Sequence, residues 1–395
     1  MPTADPADSA DYGQELCAVG LAAGLDRVGI ASAEPFEGTR VILERRKAEG
    51  LAGSMQFTYR NPARSTDPSR TLAGAAALVV GARRYDRVAP AEPGDGRPHA
   101  RVARYATTDH YGALRRSLDV VADRLRADGW QARVVLDDNA LVDRAAAHRA
   151  GIGWFGKNSM VLAPGIGSWV VLGSVLTDAP LPTATAPVAD GCGSCHRCLD
   201  ACPTGAIVAP GVVDARRCLA WLVQADGVFP VEHRVALGDR LYGCDDCQEV
   251  CPPSRRTAID AESDEPSLVG DDPSDDPGPW VDVLDLLASD DAALLDRYGR
   301  FYVPHREPRY LRRNALVVLG NAGRPSDPEV AASVRDAVVG ALRGDDPLVR
   351  AHAVWAARRL GLDLPAELLD RLGADADPMV HDELRRDVAV AAARG

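Results

Sequence analysis

The stretch Cys192-Gly-Ser-Cys195-His-Arg-Cys198-Leu-Asp-Ala-Cys202-Pro203 decides how the chain is read, together with Cys218 and Cys244-Asp-Asp-Cys247-Gln-Glu-Val-Cys251-Pro252. Eight of the nine cysteines fall here. Two-residue gaps wrap a tight loop of thiolates around one corner of an iron–sulfur cube. A three-residue gap and a proline then turn the chain away, so the last sulfur points at a neighbouring cluster. On that geometry Cys192, Cys195, Cys198 and Cys251 bind one 4Fe–4S cluster, and Cys202, Cys218, Cys244 and Cys247 bind a second. Zinc also uses paired Cys-x2-Cys, but seldom with Cys-Pro after two three-residue gaps. A disulfide framework suits a small secreted domain, not a chain of 395 residues in which no signal peptide is read. The ninth cysteine, Cys17, lies in an apolar helical stretch and is expected to be buried.

The length predicts two or three domains, and 46% hydrophobic residues are enough for real cores. No apolar run is long enough to span a bilayer, so no membrane association is expected. Free thiolates in this number require a reducing compartment, which points to the cytoplasm. The net charge of −12 argues against a nucleic-acid partner. Many of the acids, however, are concentrated in 260–276, and global charge does not describe one local face.

Along the chain, helical spacing at 12–25 and 38–50 alternates with apolar or β-rich runs at 27–31, 76–82, 133–136 and 168–177. A further amphipathic helix covers 111–128. This alternation predicts an α/β domain over roughly 12–185. Asp137 and Asp138 end one strand, where such domains bind ligands. An acid pair before a helix is also ordinary capping chemistry. The Gly-rich loop 151–158 lets a backbone pass close to a ligand, or simply makes a tight turn. After an acidic, Pro-rich linker only helices follow, several starting Asp-Pro, in the manner of HEAT-like repeats. Arg309, Arg312 and Arg313 on one helix, and Arg350 and His352 on another, would form one basic stripe suited to phosphates, or plain solvated surface.

The chain resembles the epoxyqueuosine reductase family, cobalamin- and iron–sulfur-dependent enzymes of the last step of queuosine formation in tRNA. The resemblance rests on AlaGlyIleGlyTrpPheGlyLysAsn (150–158), GlySerTrpValValLeuGly (167–173), the cysteine runs, TyrGlyCysAspAspCysGlnGluValCysPro (242–252) and ArgArgAsnAla (312–315). The chain departs from the family pattern at His110, Ala140, Ser174 and Pro253. The resemblance implies an α/β cobalamin-binding domain (1–185), a two-cluster ferredoxin-like domain (186–262), an acidic linker (263–279) and an all-α HEAT-like repeat domain (280–395). It implies Asp137 as the proton donor and Arg144 as its orienting partner. It places cobalamin against Arg64, Asp137, Arg144, Gly156, Val161, Ala163 and Leu172, with Lys157 and Asn158 as helpers. The implied substrate is a tRNA with a GUN anticodon carrying epoxyqueuosine. The implied reductant is a flavodoxin or ferredoxin, and the chain would act as a monomer. A reductive dehalogenase-like corrinoid enzyme and a non-catalytic ferredoxin-type carrier are the alternatives.

Overall fold

The computed structural model describes residues 6–85, 90–183, 188–260 and 276–386. Most of the acidic linker expected at 263–279 lies outside the described residues. The strands are β1 (Arg27–Ser32), β2 (Ala77–Arg84), β3 (His99–Val102), β4 (Ala132–Leu136), β5 (Trp154–Phe155), β6 (Val161–Leu162), β7 (Val170–Thr177), β8 (Ile207–Ala209), β9 (Val212–Val213), β10 (Arg240–Tyr242) and β11 (Trp280–Asp282). The chain falls into two compact units. The first comprises 1–88, 109–216 and 245–271; the second comprises 89–108, 217–244 and 272–395.

In the first unit the sheet order is β1-β2-β7-β4. Every pairing in it is antiparallel, although helix–strand alternation more often yields parallel crossovers. The central strand β7 is buried along its whole length, as is most of β2. Their unbroken apolar runs follow from being covered on both faces. The helix His110–Ala127 lays the fully buried Leu114, Leu118 and Leu125 on one face. A Cβ on Gly173 would lie 2.7 Å from Leu118 Cδ1, so glycine is what lets this helix approach. The short helix Asp143–Arg149 packs Ala145, Ala146 and Ala147 with Leu78, Val80 and Ala82. Cys17 is half-buried rather than buried.

In the second unit β3 pairs with β10 in parallel and with β11 antiparallel. Seven helices between Val283 and Arg385 follow among the described residues. Asp327, Asp346 and Asp377 each cap a helix with Pro at its first turn, their carboxylates accepting backbone N–H groups. That is the physical content of the recurring Asp-Pro: a side-chain acceptor, then a residue with no N–H to orphan. The domain limits expected at 185 and 262 do not coincide with the two units. Leu219, Leu222, Phe229, Leu241 and Tyr242 share one core with Leu311, Leu316 and Val338. Cys218 and Cys244 therefore belong to the second unit, and the other six cluster cysteines to the first.

Candidate active site

Asp137 follows the last residue of β4 in the left-handed region, at φ 47°. Aspartate tolerates that conformation better than most residues, and such strain gathers at functional sites. The capping-like bond of the acid pair belongs to Asp138, whose Oδ1 accepts from Ala140 N at 2.9 Å. Among the described residues no hydrogen bond occupies the Asp137 carboxylate. Asp137 is exposed towards open space, yet it is crowded by protein on its other sides. That desolvation, and then the charge of Asp138, hold its pKa above the usual carboxylate range.

A second acid lies beside it. Asp143 opens the next helix, and the Asp137 N–H donates to its carboxylate. Burial and then Asp137 push the Asp143 pKa well up, with Arg144 opposing. Asp143 Oδ1 is out of solvent and has no partner; so is Asn139 Oδ1. The Tyr111 phenol is raised by burial and by Asp137. Tyr85 donates to Gln248 Oε1 at 3.2 Å and meets Trp169 edge-on at 5.8 Å. The cluster thus gathers two carboxyls and a phenol whose pKa values are all pushed up by burial. Sequence reasoning did not single out Tyr111 or Tyr85, because an isolated Tyr carries no spacing signal.

A cleft of about 300 Å³ is lined by Arg60, Asn61, Arg64 and Asn139. Arg64 is therefore placed at a ligand-sized opening, and Asn139, two residues after Asp137, joins it to the Asp137 turn. Arg60 and Asn61 were not foreseen. Three of the expected corrinoid contacts are buried in this structure. Ala163 has no exposed surface, Val161 has 2% and Leu172 has 9%, and all three sit in the apolar core. Gly156 is also buried, and a Cβ there would meet Leu162 Cδ1 at 2.1 Å.

The turn between β5 and β6 reaches the cysteine loops. Lys157 Nζ donates to Gly193 O at 2.7 Å and to Cys195 O at 2.8 Å. Asn158 Nδ2 donates to Cys247 O at 3.4 Å, and Arg144 Nη1 to Ser159 O at 3.3 Å. Burial first, and then the neighbouring thiols of Cys251, Cys192 and Cys195, push the Cys198 pKa up. Among the described residues no three His, Cys, Asp or Glu side chains converge at the spacing of a single metal ion; a cube holds its thiolates farther apart than one ion does. Ser254 fixes the Cys251 turn: its Oγ accepts from Ser168 N at 3.0 Å, and its carbonyl accepts from Trp169 Nε1 at 3.0 Å. Cys202 Sγ accepts from Ala206 N at 3.2 Å. In the second unit Cys218 caps the helix Leu219–Leu222.

The expected phosphate stripe is also corrected. Arg313 and His352 have no exposed surface. Arg313 is spent on backbone carbonyls, and the His352 ring bonds Phe229 N and Leu348 O. Arg312 pairs with Asp291, Arg350 with Asp375, and Arg309 with Glu307.

A family profile described as "4Fe-4S double cluster binding domain" matches residues 191–254. The chain is 34% identical over 366 residues to an epoxyqueuosine reductase of Xanthomonas campestris pv. campestris, covering 91% of this chain and 98% of the relative. It is 30% identical over 394 residues to that of Bacillus subtilis, covering 97% and 96%. Among solved structures it resembles an epoxyqueuosine reductase crystallised with a tRNA-Tyr epoxyqueuosine-modified stem loop, with TM-score 0.85, 28% identity and coverage of 96% and 98%. It also resembles the Bacillus subtilis enzyme with its catalytic Asp loop swung out of the active site, with TM-score 0.83, 28% identity and coverage of 96% and 99%.

Proposed function

The chain belongs to the epoxyqueuosine reductase family, and on that premise we propose that it converts the epoxide of epoxyqueuosine in the tRNA wobble nucleoside to the alkene of queuosine. The carrying observation is similarity along nearly the whole chain, to relatives matched over nearly their whole length. The conversion consumes two electrons and two protons and releases water. Electrons come from an external ferredoxin- or flavodoxin-type donor. Cys192, Cys195, Cys198 and Cys251 would hold one cube, and Cys202, Cys218, Cys244 and Cys247 a second, and these would supply one-electron transfer at low potential. Asp137 donates the proton to the leaving oxygen, with Asp143 and Tyr111 beside it as the second store. Arg144 orients the acid-bearing turn.

The two orphaned oxygens, Asn139 Oδ1 and Asp143 Oδ1, and the Arg-lined cleft fit a large polar cofactor. Arg60, Asn61, Arg64 and Asn139 would hold the rim of a cobalamin. When bound, that group supplies a low-potential cobalt able to act on the epoxide carbon. The cleft is at the small end of ligand pockets, so it takes part of such a group, not all of it. The C-terminal helices, which we read as HEAT-like, serve the tRNA through Arg309, Arg312 and Arg350, which must exchange their acidic partners for phosphates. The reading includes a cytoplasmic monomer; no helix among the described residues is long and apolar enough to cross a membrane.

The test is anaerobic incubation of the reconstituted, reduced protein with epoxyqueuosine tRNA. Nucleoside mass spectrometry should show loss of one oxygen atom. Unchanged nucleoside with fully reduced protein would sink the proposal. The same protein should carry about eight irons per chain, two cubes of four. Cys198→Ala should abolish one spectroscopic centre and Cys202→Ala the other. If both substitutions remove the same centre, the crossed ligand assignment is wrong.

A further inference from the structure

Lys157 was expected to help hold a corrinoid, yet its ammonium is committed elsewhere. It sits at the tip of the β5–β6 turn and donates to the carbonyls of Gly193 and Cys195, both within the Cys192-x2-Cys195 loop. We propose that Lys157 sets the reduction potential of the cube held by Cys192, Cys195, Cys198 and Cys251, and so governs how readily that cube accepts an electron. This rests on the cluster reading above.

The placement is built, not incidental. Gly211 N donates to Lys157 O at 2.8 Å, and Ser159 Oγ donates to Gly211 O at 2.7 Å, so the turn is pinned from outside. Asn158 Oδ1 accepts from Met160 N at 3.2 Å, which closes the turn from inside. Gly153 has no room for a side chain, since a Cβ would lie 2.2 Å from Leu162 O. The backbone carrying Lys157 is thus held on several sides.

The second argument is charge. Among the described residues both partners of the Lys157 ammonium are neutral carbonyls, so no carboxylate cancels its charge locally. The step concerned is transfer of one electron from the external donor to the cube, with no proton moved. It would make the cube more negative, and a fixed cation on the loop that binds it favours the reduced state. Cube potentials respond to net charge, hydrogen bonds to the sulfurs and exposure. At the intermediate dielectric of a half-buried site, one charge at that range is enough to be measured.

Asn158 sharpens the assignment. Its amide donates to the carbonyl of Cys247, which is assigned to the other cube. Adjacent residues therefore touch the two cysteine loops, one with a charge and one without. Removing the Lys157 charge should move one centre and leave the other.

The experiment is an EPR-monitored redox titration of the full chain, reconstituted anaerobically with iron and sulfide. Lys157→Gln keeps an N–H donor and removes the charge; Lys157→Arg keeps both. In Lys157→Gln the reduced-to-oxidised ratio of one centre at fixed potential should fall about tenfold, a shift of about 59 mV to lower potential. The second centre should stay in place, and Lys157→Arg should stay near the unsubstituted protein. An unmoved potential in Lys157→Gln overturns the proposal, and so does an equal shift of both centres. Loss of the cube in either variant also counts against it, because a side chain that only tunes potential is dispensable for assembly. Absence of any cube signal in the unsubstituted protein would instead sink the cluster reading itself.

Discussion

Asp137→Asn is expected to slow single-turnover conversion of epoxyqueuosine tRNA by about 10²–10⁴-fold, the usual worth of general acid catalysis. The substitution is chosen to change little else. Asparagine accepts the left-handed φ of 47° at least as readily as aspartate. The local bond to Ala140 N is made by Asp138 and survives. Stability should not fall. A carboxyl whose folded pKa is raised stabilises fully only below its unfolded pKa, and that contribution is lost as pH rises through the folded value. Above its raised pKa the ionised Asp137 is therefore a burden on the fold, and Asn removes it.

The pH profile gives an independent reading. A donor works while protonated, so the rate should decline as pH rises through the raised Asp137 pKa. That limb should vanish in Asp137→Asn. Asp138→Asn removes a cause of the raised pKa, so it should move the limb to lower pH and cost less at the optimum. Pre-reduced enzyme keeps electron delivery out of the measurement. Near-normal turnover in Asp137→Asn, or a larger loss in Asp138→Asn or Asp143→Asn, would move the acid elsewhere.

What the sequence shows and hides follows from how local each cause is. The cysteine loops were legible because cube ligation is set by gaps of two and three residues. The double-cluster profile matched over residues 191–254 agrees with that spacing. Helix starts at Asp327, Asp346 and Asp377 were legible for the same reason: a cap and its N–H lie within three residues. The Asp137 turn was found as a strand end, but not its partner Asp143 with an orphaned oxygen, because pairing depends on how the turn folds back. The antiparallel order β1-β2-β7-β4 was hidden, since alternation of helix and strand does not say which strand lies beside which. Val161, Ala163 and Leu172, placed at cobalamin by the resemblance, pack in the apolar core, a burial that depends on non-local packing. Lys157 was expected to help hold the corrinoid, but its partners lie 36 and 38 residues away, beyond what local spacing shows.

Arg313 shows the same limit most sharply, and its substitution is expected to have the largest effect on stability. In sequence it is one of two adjacent arginines at a helix start. In the structure Arg312 stays at the surface with Asp291, while Arg313 points the other way into the core. Its Nη1 donates to Ala225 O at 2.6 Å and Gly227 O at 2.8 Å; Nη2 donates to Leu222 O at 3.1 Å and Val223 O at 3.2 Å. Asn314 completes the clamp by donating to Val223 O and Leu241 O. One guanidinium thus closes the turn that follows the helix Leu219–Leu222, whose cap is Cys218. Alanine would leave four carbonyls without that donor and a cavity where the side chain was. Each buried carbonyl left without a donor costs about 1–3 kcal/mol, and the cavity adds to that. Lysine should rescue little, because a single ammonium cannot span the fork. The measurement is denaturant unfolding together with hydrogen exchange, and protection at residues 222–227 should fall first. Binding of tRNA by the surviving folded protein should keep its salt dependence, because Arg313 reaches no solvent. Arg309→Ala, on the surface, should instead lower the salt slope by about 0.9 for one lost phosphate contact. If Arg313→Ala leaves stability within about 1 kcal/mol and flattens the salt slope instead, then Arg313 leaves the core to bind phosphate and the clamp is not what holds this turn.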